Sequence, residues 1–93
     1  MVETVFYDAP EMVAIIDCES NFVHYQNDGT VLRGRVHQYD TGATQINLAV
    51  HADRLRQLGL DAEKLEDNLT FARLLYDEEG STPWVCRNLV ARN

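Results

Sequence analysis

At 93 residues the chain supports one domain, 1–93, whose folding hides roughly two-thirds of the surface that the unfolded chain exposes. Apolar residues make up 45% and charged residues 25%, a balance that excludes a disordered or fibrous chain. Eight basic against fifteen acidic residues set a net charge of −7, so a broad phosphate-binding surface would work against the field of the whole molecule, and nucleic acid is not expected as a partner.

Met1 to Tyr7 carries neither a basic segment nor a long apolar one, so no signal peptide is expected in this stretch. Asp8-Ala9-Pro10-Glu11 reads as a helix start: Asp8 can accept from free backbone N–H groups, Pro10 needs no donor and Glu11 complements the dipole. The first helix is predicted to run to about Ser20. Met12, Ile15 and Ile16 fall at helical spacing, and Glu19, at i+7 from Met12 and i+3 from Ile16, falls on the same inward face. A carboxylate there resists ionisation, and one that stays protonated near neutral pH is a general acid. The plainer alternative is a helix-end Glu turned to solvent. The apolar run from Met12 to Ile16 is closed by Asp17, and nothing approaches the roughly 20 residues of a membrane span.

Asn27-Asp28-Gly29 is a turn signal, and Val31 to Val36 is short, β-prone and interrupted by Gly34, so 21–41 reads as a loop with a small hairpin. Helical character returns after Gly42, with Leu48, Val50, Leu55 and Leu58 apolar and Gly59 as the stop. Asp61 can cap the next turn. Leu65, Leu69, Ala72 and Tyr76 form an i, i+4, i+7, i+11 stripe, widened by Phe71, Leu74 and Leu75 and ended by Gly80. Thr82-Pro83 reads as a cap leading into a short helix around Trp84 to Val90.

Cys18-Glu19-Ser20-Asn21-Phe22 at a helix end, then Gly42-Ala43-Thr44-Gln45-Ile46-Asn47, then Asn68-Leu69 opening a later helix, resemble in order the soluble lytic transglycosylase and goose-type lysozyme superfamily. Cys-Glu-Ser together with Pro83-Trp84-Val85-Cys86 is further similar to the compact resuscitation-promoting-factor domains, and the likeness spans about Asp8 to Cys86. Ala43 and Thr44 stand where that family carries Leu-Met, no Ala-Tyr-Asn motif is visible, and Leu75 holds the expected tyrosine position with Tyr76 one place later.

The resemblance implies a mainly α (α+β), minimal lysozyme-like fold with a helical core and a loop or hairpin lip, cleaving peptidoglycan between N-acetylmuramic acid and N-acetylglucosamine. Glu19 would protonate the glycosidic oxygen; as a carboxylate it would then take a proton from the muramic acid's own 6-hydroxyl, giving a 1,6-anhydro product. A hydrolytic muramidase would instead need a second carboxylate roughly 6.5–9.5 Å away, with Asp40 the first candidate and Asp28 behind it, although either can be a plain turn residue. The goose-type enzymes often carry a carboxylate where this chain has Asn47, which favours the single-carboxylate route. A non-catalytic peptidoglycan-binding module is the remaining alternative.

Gln45 is expected in the cleft, with Ser20, Asn47, Tyr39 and Tyr76 as further substrate contacts; Ser20 can equally orient Glu19 or end its helix. Tyr25 and Trp84 offer flat faces to sugar rings, or belong to the core. The resemblance also pairs Cys18 with Cys86. A bridge closing a loop of that length stabilises by about 4 kcal/mol in the chain-entropy picture and implies an oxidising, extracytoplasmic setting. His24, His37 and His51 are scattered without metal-ligand spacing, so neither metal nor cofactor is expected. The chain is expected to act as a monomer.

Overall fold

Pro10 opens the first long helix because a residue without an N–H loses nothing in a first turn. In the computed structural model, which describes residues 1–34 and 37–90, the elements are α1 (Val2–Val5), α2 (Pro10–Ser20), β1 (Asp40–Thr41), β2 (Ile46–Asn47), α3 (Leu48–Leu58), α4 (Leu65–Glu79) and α5 (Arg87–Val90). It is a small helix-dominated domain with one two-stranded antiparallel sheet.

Helix α2 buries Met12, Ile15, Ile16 and Ser20 and ends on Asn21, which adopts the left-handed conformation at φ 53° while its N–H donates to the Asp17 carbonyl. Phe22 follows at φ 62°, so the chain reverses sharply past Glu19. Asp8 does not cap this helix: the N-cap is Ala9, and the Asp8 carboxylate instead takes Arg73 Nη1 and Nη2 at 2.6 and 3.2 Å. A forked, charge-assisted pair outcompetes a single cap bond, and its partner is 65 positions away.

The 21–41 segment is less regular than a hairpin. Among its described residues there are two isolated bridges, Tyr25 with Val31 and Arg33 with Thr41; Arg35 and Val36 of the expected Val31–Val36 strand lie outside the described residues. Helical structure does not resume after Gly42 either. Gly42 to Gln45 is a turn joining β1 to β2, in register Asp40 to Asn47 and Thr41 to Ile46, and α3 starts only at Leu48, where Asn47 Oδ1 caps the Ala49 N–H at 2.9 Å. Gly59, at φ 71°, stops α3 as expected, and Asp61 Oδ1 accepts from the Glu63 N–H at 3.0 Å. Thr82-Pro83 forms a turn and not a helix start; α5 begins at Arg87.

The core gathers Phe6, Met12, Ile15 and Ile16 against Leu69, Phe71, Ala72 and Leu75 of α4, with Trp84 closing it. Each of the larger side chains contributes about 2 kcal/mol by leaving water. Tyr76 ends the α4 stripe at the rim, edge-on to Phe6 with its hydroxyl on Glu11, while Val50 and Leu58 of α3 face solvent. Cys18 and Cys86 form a disulfide with Cα atoms 6.1 Å apart, joining the end of α2 to the C-terminal segment across 68 positions. No helix among the described residues is long and apolar enough to cross a membrane.

Candidate active site

The last turn of α2 carries Glu19 half-buried, because Met12 and Ile16 turn that face inward. Its Oε2 accepts the Cys86 main-chain N–H at 3.2 Å, and the Val85 N–H contributes as well. Burial pushes its pKa above the ordinary carboxylate range and the charge of Asp40 adds to the rise, while the Cys86 and Val85 N–H groups oppose it by stabilising the anion. The site therefore makes Glu19 harder to ionise than in water and also holds the carboxylate that proton loss leaves behind.

Glu19 stands where two cavities meet. One, of about 230 Å³, is lined by Glu19, His37, Asp40, Gln45, Ile46, Asn47, His51, Leu75 and the Pro83–Val85 segment. The second opens between Cys18 to Asn21 and Leu32 to Gly34, and shares Glu19, His37, Asp40, Gln45 and Val85 with the first. Together they form a cleft across the end of α2.

The wall opposite α2 is the Asp40–Asn47 hairpin, which buried polar contacts hold in place. Asn68, fully buried in the first turns of α4, donates from Nδ2 to the Thr41 and Ala62 carbonyls, both at 2.9 Å, and accepts from the Thr44 N–H and hydroxyl. His24 Nδ1 accepts the Ala43 N–H at 3.0 Å, so its proton sits on Nε2 and donates to the Glu63 carbonyl at 2.8 Å. Trp84 Nε1 donates to the Thr44 carbonyl at 2.8 Å. Close packing of the His24 ring requires Gly42, at φ 73°: a Cβ there would fall 2.6 Å from His24 Nδ1 and 2.7 Å from Asn68 Nδ2.

Asp40 shares the cleft with Glu19, and its own burial raises its pKa while His37 lowers it. Gln45, in the left-handed region at φ 53°, has its amide in both cavities, and Nε2 donates to the Gly42 carbonyl at 2.9 Å. Asn47 lines the cleft, with Oδ1 already engaged as the α3 cap. Ser20 borders the second cavity, but its hydroxyl donates to the Ile16 carbonyl at 3.1 Å and acts within the helix.

Other expected contacts lie elsewhere. Tyr76 does not reach the cleft: it bonds Glu11, eight residues before Glu19 on α2 and so about 12 Å along the helix. Leu75, one position earlier, points the α4 side chain that does line the cavity. Asp28 spends Oδ1 on the Thr30 N–H and hydroxyl in its own turn. Tyr25 and Tyr39 are about half exposed and line neither cavity, and Trp84 is buried with only part of its surface reaching the cleft.

Sequence reasoning missed His37 and His51. His51 lines the cavity from α3 and stacks edge-on against Phe71, and burial lowers its pKa. No local pattern signals either histidine, and the wall at Pro83–Val85 was not expected from the sequence. Among the described residues no group of three or more His, Cys, Asp or Glu side chains is placed to hold a metal ion. Comparison with protein-family models, with curated proteins and with solved structures gave no match.

Proposed function

We propose that this domain is a lysozyme-like peptidoglycan glycosidase that works by lytic transglycosylation, with Glu19 as acid and then base. The observation that carries the reading is the Glu19 carboxyl itself: half-buried, with its pKa raised by burial, and lining both of the cavities that meet at the end of α2. Protonating the glycosidic oxygen breaks the bond through an oxocarbenium-like state. The Cys86 N–H then stabilises the carboxylate, which removes the proton of the muramic 6-hydroxyl as that oxygen closes on C1 and regenerates the acid. Every step uses one carboxylate. The motif order from Cys18 to Cys86 supports the substrate, and the disulfide agrees with an extracytoplasmic place of work.

Hydrolysis is the second reading, favoured by one observation: Asp40 lines the same cavity as Glu19, where a second carboxylate would serve as base for a water. Mass spectrometry of products from purified peptidoglycan, with wild type and Glu19→Gln, separates the readings. Muropeptides one water lighter than their reducing-end forms, lost in Glu19→Gln, are expected. Ordinary reducing ends would transfer the reaction to the Glu19 and Asp40 pair, and intact polymer with both proteins would leave a binding module.

A further inference from the structure

The disulfide and the candidate acid are neighbours twice over. Cys18 precedes Glu19 in α2, and the main chain of its partner, Cys86, donates to Glu19 Oε2 at 3.2 Å. The residues leading to Cys86 are a wall of the cleft: Pro83, Trp84 and Val85 line the cavity, and Val85 is exposed on its other side.

Trp84 and Cys86 pack into the core and α5 beyond them packs on α2, but few hydrogen bonds tie this wall to the rest of the domain. Arg87 Nη1 donates to the Thr82 and Trp84 carbonyls and the Trp84 N–H to the Ser81 carbonyl, all within the segment. Among the described residues, the hydrogen bonds from 81–87 to the rest of the domain are Trp84 to Thr44 and those of the Cys86 and Val85 N–H groups to Glu19. Trp84 is buried and anchors one end, so what the bridge adds is the position of Val85 and Cys86 against Glu19.

We propose that the Cys18–Cys86 disulfide is a redox-sensitive clamp on this site, with Cys86 as a positioning residue whose main chain holds the Glu19 carboxyl and keeps water from it. Cys18 is exposed and Cys86 buried, which fixes the direction of opening. A thiolate of a dithiol reductant attacks Cys18 Sγ; the S–S bond breaks, and its electron pair leaves on Cys86 Sγ, which takes up a proton. The second thiol of the reductant resolves the mixed disulfide, releasing Cys18 as a thiol and leaving the reductant as a cyclic disulfide, so two electrons and two protons reach the protein.

Freed of the bridge, the segment past Trp84 moves off Glu19 and water enters. Opening removes the burial that raises the Glu19 pKa, the largest single influence on it, together with the Cys86 and Val85 N–H bonds that lower it, so the Glu19 titration moves with the redox state. The other charged or titratable groups around the cleft are Asp40 and His37 from the lip, His51 from α3 and Arg33 beside the second cavity. None of them is tied to the C-terminal segment by a hydrogen bond or ion pair among the described contacts, so they keep their places in both redox states. The clamp is independent of what the site does; its effect on cleavage rests on the reading of Glu19 as general acid.

The test follows the Glu19 side-chain carboxyl carbon by NMR through a pH titration, in oxidised protein and in protein reduced with dithiothreitol, with Glu19→Gln to assign the signal. Peptidoglycan cleavage is recorded over the same pH range. Reduction is expected to shift the Glu19 midpoint while the amide spectrum stays dispersed, and to move the alkaline limb of cleavage in the same direction. A one-unit shift changes activity on the alkaline limb about tenfold. Reoxidation restores both, and the double variant Cys18→Ser with Cys86→Ser reproduces the reduced titration. An unchanged midpoint in folded, reduced protein overturns the clamp, as does global unfolding on reduction, which would make the bridge a general staple. Oxidised protein that titrates as expected but cleaves nothing would remove the enzymatic reading and leave the clamp standing.

Discussion

Asn68 accepts two hydrogen bonds from one residue, the Thr44 main-chain N–H at 3.1 Å and its hydroxyl at 2.6 Å, with all three groups buried. With its two donor bonds to Thr41 and Ala62, the Asn68 amide holds the turn between Asp40 and Gln45 onto α4. Asn68→Ala leaves four buried polar groups without this partner and is expected to destabilise the fold by about 3 kcal/mol or more. Urea denaturation of the variant measures it, and a loss under about 1 kcal/mol would show that the amide is not what holds the lip.

Gly42→Ala tests the same lip from the other side. A Cβ at φ 73° meets the His24 ring and Asn68 Nδ2, neither of which can move without breaking its own bonds. Left-handed strain and crowding together cost about 3 kcal/mol, which lowers Tm by on the order of 10–20 °C in a domain of this size. Circular dichroism melting reads the change directly.

Glu19→Gln is expected to raise stability at neutral pH and, under the proposed function, to abolish cleavage. Burial raises the folded-state pKa of Glu19 above its unfolded value, so its contribution to stability is fully present below the unfolded pKa and is lost as pH rises through the folded one. Glutamine cannot ionise and keeps an oxygen for the Cys86 N–H. The two proteins should therefore melt together at about pH 3.5, with the variant a few degrees higher at about pH 7. Solvent screening at a half-exposed group keeps the gap small. Identical melting at both values would mean that Glu19 is not desolvated.

Charge gives a prediction about substrate context. A −7 domain is repelled by anionic wall polymers, and moderate salt screens that repulsion. Under the proposed function, the rate on whole walls should rise between low and moderate salt, whereas the rate on short neutral glycans stays flat. A monotonic fall on walls would refute this electrostatic picture.

Local chemistry made much of the helical frame legible. Helix α4 could be read from Leu65 to Gly80 because its apolar residues repeat on one face, and the stops at Gly59 and Gly80 because both need positive φ. The same spacing put Glu19 on a buried face. It failed between Gly42 and Asn47, where a turn looks like the beginning of α3 until Asn68 and His24 are seen to hold it open. Asp8 was misread as a cap because the Arg73 that claims it lies two helices away in sequence.

Composition, periodicity and turn residues thus determined a small, acidic, helix-rich domain with a carboxyl on an inward face, since each of these depends on contacts a few residues apart. The tertiary structure alone decided what surrounds that carboxyl. His37, Asp40, His51, Leu75 and Val85 come from separate elements, and Leu75 rather than Tyr76 faces the cleft because one residue turns a helix by about 100°. The Glu19 environment depends on long-range packing, which fixes where a low-dielectric wall and a main-chain N–H meet the side chain.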